Sequence, residues 1–348
     1  MCSDVTRRDV VRALGALGIM GALPLPGLAA GRGGAPFSVE SLPALEGELT
    51  LYLGRGEGGL YEDVINAIRD RNPGLSLQVR RGPTVALANT IVAEAEAGVR
   101  QADLFWAVDS GSLGLVSDAG LAQPVPEALG AGLREGFRYD NWVPVSGRIR
   151  TLPFNSDRLS LEQIPEDIMA LPETDLSVGW APAYGSFQSF ITAMRLLEGE
   201  KATREWLLGM KARARQYAGE FGVVMGVSRG EVDLGLANHY YTLRLLSGQP
   251  DAPVALAMTR DDAGSLLNAS GAMALSERPV AMDFIRYLLT TEVQSYLARE
   301  AYEIPMVSGV ELPEGLPSED RIQPPELELT RLADMRPTLD LMRDAGGL

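Results

Sequence analysis

Asn238-His239-Tyr240-Tyr241 is the segment whose residue types and spacing could hold an ion. Adjacent residues on a regular strand or helix point apart, so neighbouring tyrosines converge on one centre only at a junction between elements. The segment sits at such a junction. Val232, Leu234 and Leu236 alternate as a predicted strand over 231–237, and Asn238 reads as the N-cap of the helix that follows. Unpaired N–H groups and the helix dipole at that end favour negative charge, and so an ionised phenol. A free phenol has a pKa of about 10, so ionisation at neutral pH needs a strong cation. A hard trivalent metal such as Fe³⁺ supplies one and selects oxygen ligands. The residues alone leave two readings open, a metal-binding phenolate pair or two ordinary cleft or core aromatics.

Other chemistries are narrowed by what the chain lacks. His239 is the only histidine, so no histidine cluster can form around a metal. Cys2 is the only cysteine and lies in the N-terminal segment, which leaves the rest of the chain without thiolate sites, disulfides or a cysteine nucleophile. The turn Gly54-Arg55-Gly56-Glu57-Gly58-Gly59 could cradle an anion at a helix start. No Gly-Lys-Ser/Thr follows it, so it is not a nucleotide-binding P-loop. The net charge is −15; residues 1–32 contribute +2, which leaves −17 for the remainder. A surface that acidic repels phosphate backbones and argues against a nucleic-acid partner.

The elements that must position these residues follow from periodicity. Strands are predicted over 48–53, 75–79, 102–106 and 176–180, and helices over 60–68, 84–97, 186–197 and 202–214. Met258, Leu266, Leu267 and 273–275 have strand character, 280–299 is a strongly periodic helix, and a short helix ends the chain. Alternating strands and helices imply an α/β architecture with largely parallel sheets. Two lobes are expected, with 46–147 plus 265–348 as lobe one and 148–264 as lobe two, so that the chain crosses twice. A ligand would sit in the cleft between them, where strand ends meet helix N-termini. Residues 1–32 have the order of a secretory signal: Arg7-Arg8, an apolar stretch from Ala13 to Leu25, then small residues at Leu28-Ala29-Ala30. The arginine pair resembles a twin-arginine (Tat) signal, so export to the periplasm or another extracytoplasmic space is expected.

The stretch from Gly230-Glu231-Val232-Asp233 to Tyr241 resembles the motif of the periplasmic ferric-ion-binding proteins of ABC importers. Further segments match in order: Leu51-Tyr52-Leu53-Gly54-Arg55, Ala102-Asp103-Leu104-Phe105-Trp106, Ser146-Gly147-Arg148, Gly179-Trp180-Ala181-Pro182, Gly271-Ala272 and Tyr302-Glu303-Ile304-Pro305. The resemblance implies the two-lobed, type II periplasmic-binding-protein fold and a non-enzymatic role. Fe³⁺ would be carried as cargo to a membrane permease, and the protein would act as a monomer. It puts Tyr240 and Tyr241 on the iron-binding tyrosines, and Tyr184 on a third tyrosine in a turn, ending at Ser186, that holds an anion in some members. Arg148, with Arg150 beside it, falls where an arginine holds a synergistic anion such as carbonate; a guanidinium suits that task by bidentate hydrogen bonding. Asn238 and His239 would serve the turn rather than the metal. The sequence departs from the family where many members carry a histidine: that place is Gly56, with Glu57 as an alternative oxygen ligand. A glutamate used by some members is replaced by Val108, beside Asp109.

Two competing readings remain. One is a binding protein of the same fold for thiamine, a polyamine or a phosphonate or other anion, with Trp106, Trp142 and Trp180 available to stack on an organic solute. The other is a Tat-exported enzyme, opposed by the single histidine and by the lack of any cysteine beyond Cys2.

Overall fold

The computed structural model describes residues 37–54, 59–318 and 321–348. The secretory segment 1–32, together with Gly56 and Glu57, lies outside the described residues. The chain divides into two compact units. One comprises the chain up to Gly147 together with Ala269–Glu311, and the other comprises Arg148–Asn268 and Leu312–Leu348.

In the first unit, strands β1 (Gly47–Gly54), β2 (Leu75–Gly82) and β3 (Leu104–Ala107) run parallel in the order β2-β1-β3. Helices α1 (Leu60–Arg71) and α2 (Thr84–Glu96) make the crossovers, and α3 (Ser110–Asp118) and the short α4 (Glu127–Gly130) follow. Strand β4 (Val143–Phe154) begins in this unit. The parallel strands are almost wholly apolar inside, as expected of a sheet covered on both faces: Leu51, Leu104 and Trp106 are fully buried with Val143 and Val145.

In the second unit, β5 (Val178–Trp180) pairs in parallel with β6 (Ala214–Gln216) and with β7 (Leu234–Gly235), while β8 (Ala237–Asn238) and β9 (Ala255–Ala257) run antiparallel to the end of β4. Helices α5 (Gly185–Lys211), α6 (Glu220–Ser228) and α7 (His239–Gly248) pack on these strands. Strand β10 (Leu267–Ala274) returns to the first unit and pairs antiparallel with β3. There α8 (Pro279–Leu288), α9 (Thr291–Tyr296) and β11 (Ile304–Pro305) complete it, and β11 pairs with β4 at Ser146 and Gly147.

Three expectations are corrected. The strand over 231–237 is two short strands: both lie antiparallel to β4, with Leu234 opposite Phe154, Ala237 opposite Thr151 and Asn238 opposite Arg150, whereas β5 pairs only with Leu234 and Gly235. The helix over 280–299 is interrupted where the Thr290 side chain caps a new helix by accepting from the Val293 N–H, and it ends in a π turn at Leu297–Ala301. By contrast, the two helices expected over 186–197 and 202–214 are present as the two arms of α5, which meet at a break at Gly199, whose φ of 85° suits only glycine without strain. Finally, Leu312–Leu348, assigned to lobe one, belongs to the second unit. Its helix α10 (Met335–Asp344) packs against α5, and Arg195 Nη2 donates to an Asp334 carboxylate oxygen at 2.6 Å.

Candidate metal centre

The site is built at three helix N-termini of the second unit. Tyr184 is the N-cap of α5, Glu220 is the first residue of α6, and Tyr240 and Tyr241 are the second and third residues of α7. Each helix start presents N–H groups without intrahelical partners and the positive end of its dipole, an environment that favours anionic oxygen.

The tyrosines meet there. The Tyr184 and Tyr241 hydroxyl oxygens are 2.5 Å apart, and the Tyr240 and Tyr241 rings lie with centroids 4.3 Å apart, tilted by 42°. Tyr240 and Tyr241 are buried, 3% and 6% exposed, and Tyr184 is half-buried. The strand-to-helix transition at Asn238 lets two successive side chains approach so closely. Asn238 has φ −68° and ψ 144°, extended, so the chain turns into the helix at His239. Arg244, one turn on, places its guanidinium 4.8 Å from the Tyr240 ring centroid, and the Phe221 ring is 6.3 Å from that of Tyr241.

Beneath the tyrosines lies a buried ion pair. β8 pairs with β4 so that Asn238 stands opposite Arg150, which puts the two on one face. Both terminal nitrogens of Arg150 donate to Glu220 Oε1 at 2.7 Å. The Ser186 hydroxyl donates to the same oxygen, and the Asn238 N–H donates to Glu220 Oε2 at 2.9 Å. Arg150 is 2% exposed and stacks its guanidinium over Phe190 at 4.9 Å. Burial pulls its pKa down, against the opposing attraction of Glu220 and then of Tyr240 and Tyr241.

The expected residues are therefore placed unevenly. Tyr184, Tyr240 and Tyr241 come together. Arg150 and Ser186, expected on an anion, are committed to Glu220 instead. Arg148 lies two residues before Arg150 on β4, hence on the same face of the strand, and is half-buried. His239 is fully buried, its Nδ1 within 3.2 Å of the Ile149 N–H and 3.3 Å of the Ile149 carbonyl, so this nitrogen serves the packing of α7 on β4. Asp109 caps α3 by accepting from the Ser112 N–H at 2.8 Å. Among the described residues no three histidine, cysteine, aspartate or glutamate side chains cluster as metal ligands, which leaves phenol oxygens as the concentrated donors. The tryptophans are core residues: Trp106 is covered by Tyr61 at 4.3 Å, Trp142 by Tyr139 at 4.0 Å, and Trp180 by the edge of Phe187. Glu220 is the residue that sequence reasoning missed. Its signal was faint, a single carboxylate opening the otherwise apolar run 220–228 after Gly219.

Two α/β units joined by paired crossings, with anion-friendly helix starts gathered in one of them, define a solute-binding protein. Residues 100–328 match the family model described as "Bacterial extracellular solute-binding protein", and the chain belongs to that family. The family consists of transport components that work outside the cytoplasm rather than enzymes. Over 320 residues the chain is 27% identical to the major ferric iron-binding protein of Neisseria meningitidis, covering 87% of this chain and 94% of that one. It is also 27% identical to the Fe(3+)-binding periplasmic protein of Serratia marcescens, over 79% of this chain and 84% of that one. The fold superposes on iron-bound HitA from Pseudomonas aeruginosa with a TM-score of 0.74 at 27% identity, covering 87% of this chain and all of that one. It is the type II periplasmic-binding-protein fold. No helix among the described residues is long and apolar enough to cross a membrane.

Proposed function

We propose that this protein captures Fe³⁺ through the phenolates of Tyr184, Tyr240 and Tyr241 and delivers it to the permease of an ABC importer. The observation that carries this reading is the meeting of the Tyr184 and Tyr241 hydroxyls at 2.5 Å, beside Tyr240, at two helix N-termini. Two neutral phenols need only one shared proton to make that contact. A trivalent cation would displace the protons and exploit both oxygens, and hard-cation preference for oxygen donors fits a site without thiol or imidazole ligands. The cationic groups of Arg150 and Arg244 beside the rings favour the ionised form.

Arg148 is the residue that would hold a synergistic anion such as carbonate, since both terminal nitrogens of Arg150 are already engaged with Glu220. The relatives named for ferric iron support the choice of cargo. The arginine pair near the N-terminus supports export by the Tat route, and a single chain is the expected working form. The competing organic-solute reading loses its support, because the three tryptophans that would stack on such a ligand are buried in the two cores.

Titration of the purified protein with ferric citrate tests the proposal. A broad visible phenolate-to-iron band saturating near one iron per chain, and absent from the Tyr240→Phe/Tyr241→Phe variant, is expected. A flat spectrum with no iron uptake would overturn it.

A further inference from the structure

Glu220 links the tyrosine-bearing turns to one another through its own polar contacts. Its carboxylate is fully buried and accepts from Arg150 on β4, from Ser186 in the first turn of α5, and from the Asn238 N–H at the start of α7. Ser186 lies two residues after Tyr184, and Asn238 lies two before Tyr240. One carboxylate thus grips both turns at a distance of two residues from each set of phenols. Buried carboxylates normally share their lone pairs with one or two neighbours; here one group serves four donors from three separate elements, with a guanidinium as counter-charge.

We propose that Glu220 is a positioning residue for the iron site: it sets the spacing between the Tyr184 phenol and the Tyr240–Tyr241 pair, while Arg150 neutralises it in the interior. The inference rests on the reading of these tyrosines as iron ligands. A ligand set misplaced by a fraction of an ångström still binds, but more weakly and with an altered ligand field, so geometry and affinity should change together.

The test separates positioning from mere support of the fold. In the Arg150→Met/Glu220→Leu double variant the charges are replaced together by apolar side chains of similar size. Such a replacement commonly preserves stability while deleting the links to Ser186 and Asn238. If Glu220 positions the phenols, this variant melts near the wild type yet binds iron about 10- to 100-fold more weakly, with its visible band shifted. Glu220→Asp, which keeps the charge but falls short by one methylene, should not restore the band position. A folded double variant with wild-type affinity and an unshifted band would overturn the proposal. Should the double variant fail to fold, Ser186→Ala decides: it removes one link at a half-buried hydroxyl and should shift the band, and an unshifted band would sink the idea. Should the wild type itself show no band, the iron reading falls first. Ring NMR signals of Tyr184 and Tyr241 in the metal-free protein then judge the positioning role, which requires them to move in the double variant and fails if they do not.

Discussion

A phenol binds a trivalent ion by losing its proton, so the oxygen is the whole of its contribution and Phe is the clean deletion. Tyr241→Phe removes the oxygen that touches Tyr184 and should weaken ferric binding by at least about 100-fold, a loss read by competition with citrate. At His239 the outcome should differ in kind. Its ring fills a fully buried space and its Nδ1 meets the backbone of Ile149, so His239→Ala should cost about 1–3 kcal/mol of stability in urea unfolding while the visible band stays in place. Arg150→Ala leaves the Glu220 carboxylate buried without its counter-charge and should cost about 3–5 kcal/mol. The Asn238–Tyr241 segment was legible because its information is local: a strand pattern, a capping residue and two aromatics in four positions. Glu220 was not legible, because its meaning comes from Arg150, 70 residues away, and from two turns that only the folded chain brings to it.

At the scale of elements, periodicity located the parallel strands and the helices between them, since covered strands are runs of apolar residues and surface helices are striped. It failed where a run of one character serves two partners. The segment from Leu234 to Asn238 alternates as one strand would, yet it pairs with both β4 and β5 at Leu234 and with β4 alone by Ala237, and that parting from β5 precedes the turn that carries Asn238 and the tyrosines. The helix over 280–299 likewise kept its stripe across a break, because α8 and α9 bury the same face. Thr290 marks the break chemically, and Thr290→Ala should lower stability by about 1 kcal/mol through loss of the α9 cap, measurable as a lower Tm. Gly271 on β10 is tighter still. An added methyl would come within 2.6 Å of the Trp142 ring, backed in turn by Tyr139, so Gly271→Ala should destabilise the first unit by about 1–3 kcal/mol.

For the molecule as a whole, charge sets the traffic of ligands. With −17 outside residues 1–32, the protein draws cations and repels negatively charged chelates. Uptake of iron from an anionic ferric citrate complex should therefore speed up as added salt screens the repulsion, which stopped-flow measurement of the visible band would show. Acid acts through particular carboxylates. Burial pushes the Asp233 pKa up, but hydrogen bonds from Ser177 and the nearby Arg158 outweigh it and hold the group below the ordinary carboxylate range. Its contribution is accordingly present above about pH 4 and is lost as pH falls through the folded value. Asp233→Asn should lower Tm at neutral pH, with the gap to the wild type closing on acidification.

The division of the chain also dictates when it can become a protein. The first unit needs β10, α8, α9 and β11, and the second needs the closing segment Leu312–Leu348. A ribosome that has delivered the first 268 residues has completed neither. The nascent chain must hold β3 without β10 until the second crossing has been read, and α5 without the helix that covers it for longer still. The units therefore close in chain order: the first can be complete once Glu311 has been read, and the second only after the segment that follows it.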